Sequence, residues 1–525
     1  MIQCPNCGTN PILKMDYPDP DVIRVDDTYY MVTTTMHFMP GCEILRSYDL
    51  INWEHLTYVY DRLDGTDAQR LTNDKHVFGK GMWAATIRYH EGIFYIIFVA
   101  NDTGKTYLYK SRDIEGPWDK SIIEGFYHDC SLLFDEGRAY LVYGNTNVYL
   151  TELNSHMTGP KEGGLHRLIV SDEGNPNLGL EGSHIYKING RYYLFMIHSR
   201  RDRWMRTEAC FSADSLEGEF IGGDVLEDDM GLTAMGVAQG GIVDDPEGNW
   251  YSVMFQDSGA IGRIPVLCPV TWENGLPVFG TGGKVPTELS LPSMKPGYEY
   301  TPLFGSDDFK DNFYEERDSA DIDRRIYGCF GLKSFWQFSH EPDLSLVAVD
   351  KKAGTLTITT DKLAVNIHQA ANVLTQRMVS PGCAGEITVD ASDLKEGDYA
   401  GITVYQGNYI WIGVTRRNGK LCAVTTTFTS EEDTWITSGE PGVERCSVPI
   451  KGSKVRLRLE ASFGPGRDEA FCSILDDNEW KEFGPKHKLS FRLDHFTGAR
   501  FGLFIYSTKE MGGSAAFSDF TYEAF

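Results

Sequence analysis

The chain has 525 residues, with 49 Lys and Arg against 75 Asp and Glu, a net charge of −26. That balance argues against nucleic acid as a partner, since an acidic chain is poorly suited to neutralise a phosphate backbone; it also disfavours anionic membranes and anionic polymers and leaves a neutral ligand as the expected one. Apolar residues at 41% and aromatics at 12% supply ample core, which excludes wholesale disorder.

At the N-terminus, Met1–Cys7 shows neither a basic stretch nor a hydrophobic one, so no signal peptide is visible. Eleven scattered cysteines fit a reducing compartment better than a disulfide framework. A cytoplasmic protein is expected, or a secreted one if a leader has been removed. Cys4-Pro-Asn-Cys7 is half a zinc knuckle with no second pair to complete it, so no metal is assigned. Apolar runs such as Tyr95–Ala100 are strand-sized and far short of a bilayer span, so no membrane is expected.

The dominant feature is an internal repeat. Five segments share a β-prone run, a tight polar turn and an aromatic run: Asp21–Val32, Thr86–Ile97, Ser131–Val142, Ser183–Leu194 and Gly241–Ser252. Their corresponding tyrosines are Tyr30, Tyr95, Tyr140, Tyr193 and Tyr251, at spacings of 65, 45, 53 and 58 residues. Ser47–Trp53, Ser111–Trp118 and Ser212–Phe220 read as turns into an outer strand. Units of this length with about four strands each are propeller blades, and five of them make a five-bladed β-propeller. The Pro- and Gly-rich stretch from Pro286 to Pro302 marks a boundary, and beyond it alternating runs such as Leu356–Thr360, Gly401–Tyr405, Tyr409–Val414, Val455–Leu459 and Arg500–Ile505 predict a β-sandwich. The chain is therefore expected to be all-β: a propeller over residues 1–300 and a sandwich over 301–525.

In a propeller the innermost strands converge on one funnel, so the residues preceding each repeat deserve comparison. Asp19 and Asp129 lie 11 residues before Tyr30 and Tyr140, and Glu181 lies 12 before Tyr193; the same column holds Trp83 or Ala84 in the second unit and Ala238 or Gln239 in the fifth. Three carboxylates facing one funnel can divide acid and base work if their surroundings separate their pKa values, which is the layout for cleaving a glycosidic bond. Trp83 offers a flat apolar face to a sugar ring, and Arg263 is placed to clamp a carboxylate or a hydroxyl.

With those residues in hand, the chain resembles family 43 of the glycoside hydrolases. Asn10–Leu13 with Tyr17–Arg24, Gly81–Ala84, Leu180–His184, Gln239–Asp244 and Gly262–Val266 look like successive blocks of that family. Residues 305–525, including Trp336–Phe338, Leu374–Arg377 and Glu396–Gly401, are similar to the concanavalin-like C-terminal sandwich of its xylosidase and arabinofuranosidase members. The resemblance implies that Asp19 is the general base, Glu181 the general acid and Asp129 the modulator of the acid's pKa, in an inverting displacement by water. It also implies that His37 and Phe38 line the pocket rim and that Gln239 reaches the axis as a further substrate contact. Many members carry a His associated with an axial calcium where this chain has Ala238, so calcium is left open and no cofactor is required. The expected function is exo-hydrolysis of non-reducing α-L-arabinofuranosyl or β-D-xylosyl residues, with a lean to the former, from neutral hemicellulose oligosaccharides. The rival is a carbohydrate-binding propeller without catalysis, which would need Trp83 and polar residues but not three carboxylates.

Overall fold

The computed structural model describes residues 7–311, 323–328, 330–430, 432–433 and 439–525. Cys4 of the half knuckle lies outside them. Each of the five repeats is the hairpin of a blade's two inner strands, and four of the reference tyrosines pair at one register, Ile23 with Tyr30, Arg88 with Tyr95, Leu133 with Tyr140 and Tyr186 with Tyr193, while in the fifth a longer turn pairs Val243 with Tyr251. Three of the hairpins turn through Glu91-Gly92, Glu136-Gly137 and Asn189-Gly190, with positive φ at both residues, the backbone that keeps a tight turn in phase with strand twist. A third and a fourth strand complete each sheet in sequence order. Blade I runs from Asp21 to Tyr60, blade II from Met82 to Ile123, blade III from Ser131 to Ser171, blade IV from Glu181 to Leu226 and blade V from Ile242 to Phe279. Ser47, Ser111 and Ser212 stand at or near the ends of third strands, as the turn motif predicts.

Because every blade uses four consecutive strands, the ring is not closed by an exchanged strand. The segment before blade I closes it instead. Cys7–Thr9 pairs with Glu288–Ser290. The Asn10 side chain donates to the Leu267 and Pro286 carbonyls and accepts from the Leu267 N–H, and the Ile12 and Tyr17 amides donate to the Pro265 and Arg263 carbonyls.

The C-terminal strands form two packed sheets. One of seven strands runs in the order Gln337–Phe338, Leu374–Arg377, Arg500–Ser507, Asp398–Tyr405, Tyr409–Arg417, Lys420–Phe428 and Val443–Pro449. The other has Gly382–Asp390, Lys454–Ser462 and Ser514–Ala524 at its centre. Alternating residues such as Ile387, Val389, Leu457, Leu459, Ile402, Val404, Phe501 and Leu503 are fully buried, which is why these segments read as strands with one face in the core.

One buried apolar cluster runs from blades I and II into the sandwich, so the two parts are fused by packing. The polar contacts are buried as well. Arg377 of the sandwich ion-pairs Glu43 at 2.7 Å, donates to the Asp16 carbonyl and lies 4.0 Å above the Tyr17 ring. Asp16 in turn accepts from the amides of Arg263 and Gly498. Among the described residues, nine cysteines are free thiols, and no helix is long and apolar enough to cross a membrane.

Candidate active site

All five inner strands begin with an irregularity. Asp19, Asp129 and Gln239, at matching positions of blades I, III and V, have φ of +53°, +48° and +57°. Blades II and IV instead carry register shifts between Met82 and Ala85 and between Glu181 and His184. A left-handed residue or a bulge breaks the alternation of a strand and re-aims its side chains, and such strain concentrates where function requires it.

Asp19 is buried. One of its oxygens accepts from the Thr34 hydroxyl at 2.8 Å and the other from Arg263 at 2.6 Å. Arg263 is therefore the partner of Asp19; it also faces Asp257 at 3.5 Å and lies over the Phe255 ring. Asp257 pairs at 3.0 Å with a second guanidinium, Arg206. Glu181 accepts from the Asn145 amide at 2.5 Å. Between Glu181 and Asp129 stands His128, whose Nε2 is 3.5 Å from the former and 3.7 Å from the latter. Burial pushes the Asp129 carboxyl up to about 7; His128 and Arg263 oppose the shift, while Glu181 and Asp19 add to it. For His128 burial works against the charge, but Asp129, Glu181 and Asp19 together raise it to about 9. Carboxyl groups from three blades thus act together on His128 and favour its charged form.

The wall of the site comes partly from the sandwich. Trp83, partly buried, meets the edge of His128 at 5.5 Å and stacks at 5.6 Å on Phe496, a residue of the 491–499 loop. The Phe496 ring also lies 4.2 Å from the Arg263 guanidinium. That loop can approach because Gly498 has no side chain; a Cβ there would meet the Ile261 carbonyl at 2.1 Å. Phe496 and His128 are both absent from the reading of the sequence. The column of matching positions admits one residue per blade and so passes over His128, the neighbour of Asp129. Nothing in the sequence ties a loop near residue 496 to a funnel formed by residues 19–263.

One expectation needs correction. His37 and Phe38 do not line a rim, since each is 1% exposed. Arg500 of the sandwich covers the Phe38 ring at 3.6 Å, and His37 packs among Phe38, Phe78 and His340. The sandwich buries this loop, leaving neither ring a face for a sugar. Gln239 is also buried and packs beside Gly182, where a Cβ would come within 2.7 Å of its side chain.

The axis below the carboxylates is occupied by side chains. There the Arg88 guanidinium donates to Asp21, the Ser131 hydroxyl and the Ile87 and Leu132 carbonyls, while His184 contacts the other Asp21 oxygen. A cationic side chain already neutralises the axial carboxylate, and Ala238 has no side-chain ligand atom while its carbonyl accepts from the Phe255 amide, so these residues do not fit a calcium ion. Among the described residues, His128, Asp129 and Glu181 bring ligand-type atoms within 4.8 Å of one another, and a metal there would have to displace the proton of the imidazole.

Comparison with known proteins agrees with this architecture. The model of glycosyl hydrolases family 43 matches residues 8–277, more than half of the chain, and that of the beta xylosidase C-terminal concanavalin A-like domain matches residues 331–523. A beta-xylosidase of Formosa agariphila is 26% identical over 98% of this chain and 90% of its own length. A non-reducing end alpha-L-arabinofuranosidase of Bacteroides ovatus is 25% identical over 79% of this chain and 77% of its own. A bifunctional GH43-CE protein of Bacteroides eggerthii, 37% identical, superposes with a TM-score of 0.87 over 98% of this chain, which spans 63% of that one. The chain belongs to family 43 of the glycoside hydrolases, and it is an enzyme that cleaves glycosidic bonds.

Proposed function

We propose that the enzyme is an inverting exo-glycosidase that removes non-reducing β-D-xylosyl or α-L-arabinofuranosyl residues from neutral hemicellulose oligosaccharides. Asp19 is the general base that takes a proton from the attacking water, and Glu181 is the general acid that protonates the departing glycosidic oxygen. Asp129 keeps a proton available to the acid. The observation that carries this reading is the gathering of Asp19, Asp129 and Glu181 from three blades, with Asp129 raised to about 7 inside the group. Arg263 gives Asp19 a cationic partner and Asn145 orients Glu181, so the two are held by different neighbours for different tasks. Phe496, stacked on Trp83, walls one side of the funnel, which favours a pocket for a chain end over a groove for a chain interior. The beta-xylosidase of Formosa agariphila and the alpha-L-arabinofuranosidase of Bacteroides ovatus, both similar to this chain, support the two sugar classes.

The test is hydrolysis of aryl β-D-xyloside, aryl α-L-arabinofuranoside and a linear xylo-oligosaccharide, with the first-formed anomer followed by NMR. Inversion, with single sugars released from the non-reducing end, is expected. Retention of configuration, or internal cleavage, would overturn the reading. Phe496→Ala is expected to lower kcat/KM about tenfold, equivalent to about 1.4 kcal/mol, through loss of the stacked wall and of the ring over Arg263. Steady-state kinetics on the xylo-oligosaccharide checks it.

A further inference from the structure

His128 has no part in the acid, base and modulator scheme, yet it occupies the centre of the site. Side chains of neighbouring strand residues normally point to opposite faces, but the left-handed backbone of Asp129 lets its carboxylate and the His128 ring converge. Nε2 of His128 lies at ion-pair distance from both carboxyls, 3.5 Å from Glu181 and 3.7 Å from Asp129, and is buried without a hydrogen bond. The ring is fixed from the side by the Trp83 edge contact and is only 20% exposed. The charged groups acting on it are Asp129 on its own strand entry, Glu181 from blade IV and Asp19 from blade I; behind them, Arg263 of blade V acts on Asp129 and Arg206 of blade IV on Glu181 and Asp19.

We propose that His128 is a positioning residue for Glu181, sharing with Asn145 the task of orienting its carboxyl and counteracting the effect of Asp129 on the acid's proton. The inference rests on Glu181 being the general acid. Asp129, when ionised, disfavours ionisation of Glu181, whereas a cationic His128 at 3.5 Å favours it. Between them they set where the acid lets go of its proton.

The experiment compares wild type, His128→Gln, His128→Phe and Glu181→Gln on a xylo-oligosaccharide and on an aryl xyloside whose leaving group departs without a proton. With His128→Phe, kcat on the oligosaccharide is expected to fall by up to about 10²-fold with little change in KM, while turnover of the activated aryl substrate is largely kept and reports an intact fold. The alkaline limb of its kcat/KM profile moves up by about 1–3 pH units, because the charge favouring ionised Glu181 is gone. His128→Gln, which keeps an N–H donor but no charge, recovers part of kcat and retains the shifted limb. If the profiles of both His128 variants superimpose on wild type, or both substrates lose equally, the role of His128 is overturned while that of Glu181 stands. If Glu181→Gln still cleaves the oligosaccharide at the wild-type rate, the acid assignment falls and the role of His128 with it.

Discussion

Asp19→Asn is expected to lower kcat/KM on xylo-oligosaccharides by about 10⁴-fold, roughly 5.5 kcal/mol of transition-state stabilisation, at the upper end of what one general base supplies. The substitution keeps the size of the side chain and its bond to Thr34, so the fold should be unaffected, but an amide cannot take a proton from water. Arg263 loses its anionic partner and retains Asp257 at 3.5 Å, which limits any structural response. Glu181→Ala should match this loss on the oligosaccharide and be milder on an aryl substrate with a good leaving group, since only the former needs its departing oxygen protonated. Kinetics on both substrates, with thermal unfolding alongside, separates the outcomes. An Asp19→Asn enzyme within tenfold of wild type would remove Asp19 from the role of base.

The second large effect is on stability. Arg377→Met is expected to destabilise the enzyme by about 3–5 kcal/mol, the usual consequence of leaving one member of a buried ion pair alone. Arg377 is 4% exposed, and its loss leaves Glu43 with only His55, at 2.8 Å, inside the interface. The pH dependence is diagnostic. Burial by itself would raise the Glu43 carboxyl, but Arg377 and His55 bring it down to about 2. A depressed folded pKa gives stability that is present above the ordinary Glu value of about 4.3 and is lost as pH falls towards 2. Wild type should therefore weaken across that window, and Arg377→Met should lose most of the dependence. Thermal unfolding at pH 6 and pH 3 measures both. Equal midpoints for the two proteins at pH 6 would exclude the pair as a major stabiliser. Activity should fall too, because Arg377 also holds the Asp16 carbonyl, three residues before Asp19.

The propeller was legible because its signal is local. A hairpin announces itself through period-two alternation and a turn such as Asn189-Gly190, and five copies at similar spacing leave one architecture. The same counting picked out Asp19, Asp129 and Glu181, since 11 or 12 residues before a reference tyrosine, the extra one taken up by the bulge after Glu181, is a similar height on the funnel. It also placed Trp83 at the site, and Arg263 close to a carboxylate. The sandwich strands could be read for the same reason, each alternation reporting one buried face.

What lay beyond the sequence depends on which surfaces meet. His37 and Phe38 read as rim residues until Arg500 and the rest of the sandwich cover them, and burial by a second domain has no local pattern. Phe496 reaches Trp83 and Arg263 across more than two hundred residues of chain, through a close approach that Gly498 permits. His128 is adjacent to Asp129 in the sequence, yet only the left-handed turn at Asp129 and the neighbouring blade make it the cation between two carboxylates. The sequence by itself determined the number of blades and the identity of the three carboxylates, because periodicity and register are properties of the chain. The tertiary structure decided their partners, their charge balance and the wall around them, because burial and Coulomb interactions depend on distances that the order of residues does not contain.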